Sequence, residues 1–173
     1  LQLAQAGDII AEDELGDAFC GNVSSLATKY GGVVKVYEKA EFWRKKAAEN
    51  RYWRAAMGLA AAYRDGSRVN QDAGKAIAYY EKVYELHREH AGEAANRIGN
   101  IYYNQKNYVK KVEWYKKSAE EGYDWGMRNL GKCYRDGEGV QVDLEQAKAW
   151  FQKAYELHGD AEEDAKKCLN DLT

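Results

Sequence analysis

Two tetrapeptides recur in this chain at a single offset. "YRDG" occupies Tyr63–Gly66 and Tyr134–Gly137, "YELH" occupies Tyr84–His87 and Tyr155–His158, and both pairs lie 71 residues apart. That offset is two periods of about 35.5 residues, the scale of a helical repeat. A finer pattern confirms the period. A small residue is followed three positions later by an aromatic in Ala40–Trp43, Ala76–Tyr79, Val112–Tyr115 and Ala147–Trp150, at intervals of 36, 36 and 35 residues. A second small residue stands seven positions after each first one, at Ala47, Val83, Ala119 and Ala154. Positions i, i+3 and i+7 share a helix face, so each segment predicts a helix with a small–aromatic–small stripe.

A second pattern precedes each stripe. Its copies are Ala11–Leu15–Gly16–Phe19, Ala55–Leu59–Ala60–Tyr63, Ala94–Ile98–Gly99–Tyr102 and Gly126–Leu130–Gly131–Tyr134. The i, i+4, i+8 spacing again marks one helix face, and the Gly or Ala allows a neighbouring helix to approach closely. The unit is therefore helix A, loop, helix B, four times over. We place the A helices at 8–20, 52–64, 91–104 and 124–136, and the B helices at 36–49, 72–88, 107–121 and 143–158. Asp72 and Asp143 fall where N-caps belong, and residues 160–172 read as a final covering helix. Proline is absent, where average usage predicts roughly eight. Proline breaks helix interiors, so this suits an all-α chain.

The segment "LGKCYRDGEGVQVDLEQAKAWFQKA" (130–154) resembles the Sel-1-like repeat, a relative of the tetratricopeptide repeat, and departs from its pattern at Gln146. Residues 59–83 match less fully, with Ala60 and Arg68 in place of glycines, and residues 98–119 look like a plain tetratricopeptide unit with a shorter loop. The first copy carries about eight extra loop residues around 21–35 relative to the second and fourth. The resemblance implies a right-handed α-solenoid of stacked antiparallel helix pairs. Its repeats would span 8–50, 51–89, 90–122 and 123–159, with a C-terminal cap at 160–173. "LAQAGD" matches the end of a B helix, so residues 1–7 are expected to close a preceding helix of a longer array. The first residue is Leu1, which we read as the mark of a processed or trimmed product.

The resemblance also implies a function. In tetratricopeptide relatives helix A lines a concave surface, with the positions around the signature Leu facing it. Here those positions are Asp13, Asp17 and Cys20; Met57, Ala61 and Arg64; Asn96, Asn100 and Tyr103; Arg128, Lys132 and Arg135, bordered by Arg54 and Trp125. The first set is acidic, the third amide-rich and the fourth basic. Cations beside amides suit an acidic side chain or a peptide carboxylate through charge-assisted hydrogen bonds. The expected partner is another protein or an acidic peptide segment. The family implies adaptor and assembly roles, often in bacterial envelopes, secretion, signalling or host contact. An immunity protein that blocks a secreted toxin enzyme and a spacer within a longer array are the alternatives.

Little in the chain suggests chemistry. With 26 basic against 28 acidic residues the net charge is −2, without the basic excess of a nucleic-acid or anionic-membrane binder. No apolar run approaches the ~18 residues that cross a bilayer. His87 and His90, i, i+3 near a helix end, lack metal-site spacing. We expect His158 to close its helix as His87 closes the second B helix, each favouring the helix dipole. The glycines of "DGEGV" (136–140) read as a turn rather than a phosphate loop. Cys20, Cys133 and Cys168 read as buried thiols, with a Cys133–Cys168 disulfide open in an oxidising compartment. The "RKK" and "KK" runs at Arg44–Lys46 and Lys110–Lys111 are expected on solvated B-helix faces. No catalytic group, cofactor, metal or small-molecule substrate is expected. The compartment, envelope or cytoplasm, stays open.

Overall fold

The computed structural model describes residues 33–67 and 69–172. The first predicted A helix, the loop residues 21–32, and the expected groove residues Asp13, Asp17 and Cys20 lie outside them, as does Arg68. Among the described residues every regular element is helical. In order these are α1 (Val33–Glu49), α2 (Trp53–Asp65), α3 (Ala73–Leu86), α4 (Arg88–Asn104), α5 (Tyr108–Glu120), α6 (Asp124–Asp136), α7 (Leu144–Glu156) and α8 (Glu162–Asn170). They fall into two compact units that divide between Leu86 and His87.

In the first unit α1 packs on α2, and α2 on α3. In the second, α4 pairs with α5, α5 with α6, α6 with α7, and α7 with α8. Within each unit short turns join consecutive helices, which makes neighbours antiparallel. Both "YRDG" stretches end a helix A in the same way. Gly66 and Gly137 adopt φ of 66° and 71°, the left-handed conformation that side chains resist, and each donates its N–H to the carbonyl four residues back. Asp72 N–H then donates to Tyr63 O, and Asp143 N–H to Tyr134 O, both at 2.9 Å. The two Asp carboxylates cap the following helices, accepting from the N–H of Lys75 at 3.0 Å and of Gln146 at 2.9 Å. The chain thus writes one loop twice.

The core shows why the A helices carry small residues. A Cβ added to Gly131 would lie 2.6 Å from the Phe151 ring, and one added to Gly99 2.4 Å from the Tyr115 ring. Each glycine is the seat of an aromatic from the paired B helix. The aromatic differs from expectation in two repeats. Tyr80 and Phe151, at i+4, are fully buried, whereas Tyr79 and Trp150, at i+3, are half-buried. Only in the third repeat does the i+3 residue, Tyr115, enter the core. Positions i+3 and i+4 flank the same stripe, and the rotation of the helix decides between them.

Boundaries shift modestly. Helix α1 begins at Val33, three residues before the expected start, and α4 begins at Arg88 instead of 91. The second B helix stops at Leu86, so His87 precedes α4 with extended-type torsions (φ −134°) and His90 lies in its first turn. His158 has φ 48° in the turn beyond α7, where it meets Glu162 at 3.3 Å. Neither His87 nor His158 closes a helix from within, as was expected. The covering helix α8 is shorter than predicted. Cys133 and Cys168 are buried free thiols, and burial pushes Cys133 up to about 11.

Candidate functional site

The second unit holds a cavity of about 340 Å3 lined by α4, the first half of α5 as far as Tyr115, α6 and the loop after α6. Asn100, Tyr103, Arg128, Lys132 and Arg135, all expected groove residues, line it together. They meet because each faces outward from a helix whose opposite face is core. On α6 the core face is Met127, Leu130, Gly131 and Cys133, so the interleaved Arg128, Lys132 and Arg135 point away from it. A second concavity of about 320 Å3 lies beside Asn96, Tyr123 and Trp125, and it shares Asn100, Arg128 and Asn129 with the first.

The charges in this groove are largely matched from within. Arg128 donates from Nη2 to Asp164 Oδ2 of α8 at 2.5 Å and from Nη1 to Asn129 Oδ1 at 2.9 Å, with its guanidinium 5.4 Å from the Trp125 ring centre. Arg135 grips its own neighbour: Nε and Nη2 reach the two Asp136 carboxylate oxygens at 2.7 and 3.0 Å. This contact holds the Asp136 carboxyl below its ordinary value. Lys132 makes no ion pair among the described residues. Burial, and then the charges of Arg128 and Arg135, pull its ammonium below the usual lysine value.

The amides are also oriented. Tyr115 donates its hydroxyl to Asn100 Oδ1 at 2.7 Å, leaving the Asn100 NH2 as the donor it can offer the cavity. Asn129 Nδ2 donates to Asn96 Oδ1 at 2.9 Å, and Asn96 is mostly buried. Tyr103 is half exposed at the cavity wall. In the first unit Arg54 is exposed on α2, and Arg64 binds Asp65 through Nε at 2.6 Å and Nη2 at 2.8 Å. Met57 and Ala61 are half-buried there.

Sequence reasoning missed a buried ion pair in the cavity wall. Lys111 is 2% exposed rather than solvated. Its ammonium donates to Glu138 Oε2 at 2.6 Å and lies 5.3 and 5.1 Å from the ring centres of Tyr103 and Tyr108. Arg44, also expected on a solvated face, is buried too. A period-matched charge run looks the same whether its helix face meets water or a carboxylate and two rings. The available signal was that Lys111 stands four residues before the aromatic Tyr115 and so shares its helix face. Among the described residues no group of three His, Cys, Asp or Glu side chains is placed to hold a metal. No described helix is long and apolar enough to cross a membrane.

Antiparallel helix pairs that recur about every 36 residues, with α4 and α6 lining a polar cavity, define an α-helical repeat protein of the tetratricopeptide-like class. The model of the Sel1 repeat matches residues 24–52, 53–86, 92–123 and 126–158, and the chain belongs to this family. Sel1 repeats are in general a non-catalytic interaction fold. The ERAD-associated E3 ubiquitin-protein ligase component HRD3 of Candida glabrata is 31% identical over 81 residues, 47% of this chain and 9% of that protein. A protective antigen of uropathogenic Escherichia coli strains with an SLR fold matches at TM-score 0.70 and 28% identity, covering 91% of this chain and 32% of the antigen. Helicobacter pylori cysteine rich protein B matches at TM-score 0.56 and 26% identity, covering 79% of this chain and 97% of that one. The chain thus spans under a tenth of the HRD3 component and about a third of the antigen.

Proposed function

We propose that this chain is a non-enzymatic interaction scaffold whose second unit binds an acidic segment of a partner protein between α4 and α6. One observation carries the reading. Lys132, on the wall of the cavity, is the cation of this cavity that no described carboxylate pairs with, and the oriented amide of Asn100 lines the same cavity. A partner carboxylate fits there, accepting from the Lys132 ammonium and the Asn100 NH2. Such bonds are roughly twice as strong as neutral ones in a partly desolvated site. Tyr103 supplies an aromatic surface for the residue beside the acid, the usual anchor type at interfaces. The remaining groove residues, Asn96, Trp125, Arg128 and Arg135, shape the channel and fix register. Arg54 and Arg64 are candidates for a separate contact on α2 of the first unit.

The test is fluorescence polarisation with labelled hexapeptides that contain glutamate. The wild-type chain should bind a subset of them. Lys132→Glu should weaken that binding at least about tenfold, equivalent to 1.4 kcal/mol, with the helical circular dichroism unchanged. Equal binding by the Lys132→Glu chain would remove this groove from consideration.

A further inference from the structure

The cavity collects four cations: Lys111, Arg128, Lys132 and Arg135. Three of them are already met by a carboxylate. Glu138 takes Lys111 at 2.6 Å, Asp164 takes Arg128 at 2.5 Å, and Asp136 takes Arg135 at 2.7 Å. These pairs leave a single uncompensated positive charge, at Lys132. A groove described only by its basic residues would be expected to prefer polyacidic partners. This one is set for a different selection. A second incoming carboxylate would meet Asp136, Glu138 or Asp164 before it found a free cation, and like charges at close range oppose binding. The long-range field offers no compensation, since the chain as a whole carries a net charge of −2.

The two concavities add a constraint on where that charge sits on the ligand. They share the lining residues Asn100, Arg128 and Asn129, with Lys132 in the first and Trp125 in the second. A segment lying along both passes through the site rather than ending in it. The charge it presents to Lys132 is then borne on a side chain, with uncharged residues on either side.

We infer that the groove selects a partner segment with one acidic side chain flanked by neutral residues, and that the carboxylate of Asp164 on α8 enforces this count by occupying Arg128. The inference rests on the reading of the groove as an acidic-segment site, and goes beyond it in fixing how many charges the segment carries. Asp164 is a specificity residue that acts through Arg128 and needs no contact with the partner.

The experiment is an array of C-terminally amidated hexapeptides in varied neutral backgrounds, carrying zero, one, two or three glutamates, read against the whole chain at about 0.15 M salt, where the screening length is near 8 Å. The wild-type chain should gain at least about tenfold from the first glutamate and less than about twofold from each further one. Asp164→Asn, which preserves shape and frees Arg128, should gain at least about fivefold for two-glutamate over one-glutamate peptides. Asp136→Asn, which frees Arg135, should shift the preference in the same direction. Affinity that climbs steeply with every glutamate in the wild type, with no change in Asp164→Asn or Asp136→Asn, overturns the inference and leaves the interaction reading standing. Peptides bound equally with and without glutamate overturn both.

Discussion

The second and fourth repeats are the closest copies in this chain, and they differ where the protein would meet a partner. Their loops are superimposable in chemistry: a left-handed glycine, Gly66 or Gly137, an Arg–Asp pair one residue apart, and an aspartate cap, Asp72 or Asp143. Their groove positions are not. Met57 and Ala61 in the second repeat correspond to Arg128 and Lys132 in the fourth. The positions that close a turn or seat a core aromatic admit few residue types, because a backbone angle or a contact distance excludes the rest. The outward positions of helix A obey no such restriction and are free to carry recognition. The shared Arg64 and Arg135 fall between these cases. Each chelates the aspartate beside it, so the arginine repeated in "YRDG" has a local partner in both copies.

The comparison can be attacked first through the core. Phe151→Ala should destabilise the fold by about 3–5 kcal/mol, and Trp150→Ala by clearly less, measured by urea denaturation. Equal losses would restore the i+3 aromatic as the main core residue. The cavity wall comes next. Glu138→Gln leaves the buried Lys111 ammonium without its carboxylate and should cost about 2–3 kcal/mol, part of the attraction being retained by the Tyr103 and Tyr108 rings. The glycine seat gives a smaller effect. Gly131→Ala should lose about 1–2 kcal/mol, crowding against Phe151 outweighing the gain in helix propensity, although Ala60 occupies the same position in the second repeat. A neutral result would mean that Phe151 relaxes freely. Asp143→Ala should cost about 1 kcal/mol, and Asp72→Ala should change stability in the same direction.

Alkali supplies the mildest probe. Burial raises the Cys133 thiol from its ordinary 9.0 to about 11. Below pH 9 both folded and unfolded chains hold the proton, and the contribution to stability is complete. As pH rises toward 11 the unfolded chain loses its proton first, so stability falls across this window. Cys133→Ala should flatten that part of the denaturation profile.

These features were legible in the sequence to different degrees. The caps and turns were readable because a single residue creates each, and the period repeated them. The stripe of helix B was readable, but its large core member was not, since Tyr79 and Tyr80, or Trp150 and Phe151, stand side by side in sequence and only packing against helix A separates them. The residues of the cationic face were readable from helix spacing, whereas their neutralisation was not. Glu138 lies 27 residues from Lys111, and no periodicity links that pair. Asp164 lies 36 from Arg128, one repeat period on, but residues 160–172 read only as a covering helix and not as a further helix A. The immediate neighbour Asp136 was in plain view, yet adjacent residues on a helix do not ordinarily face each other.

The account holds that scaffold and recognition occupy separate positions of the same repeat. Converting the groove of the fourth repeat into that of the second, by Arg128→Met together with Lys132→Ala, tests this directly. The double variant should lose binding to one-glutamate hexapeptides while its thermal midpoint stays within a few degrees of the wild type, since Asp164, the partner left behind, is 44% exposed and stays hydrated, and an ion pair with an exposed partner is worth about 1 kcal/mol. Retained binding, or a collapse of the fold, would contradict it.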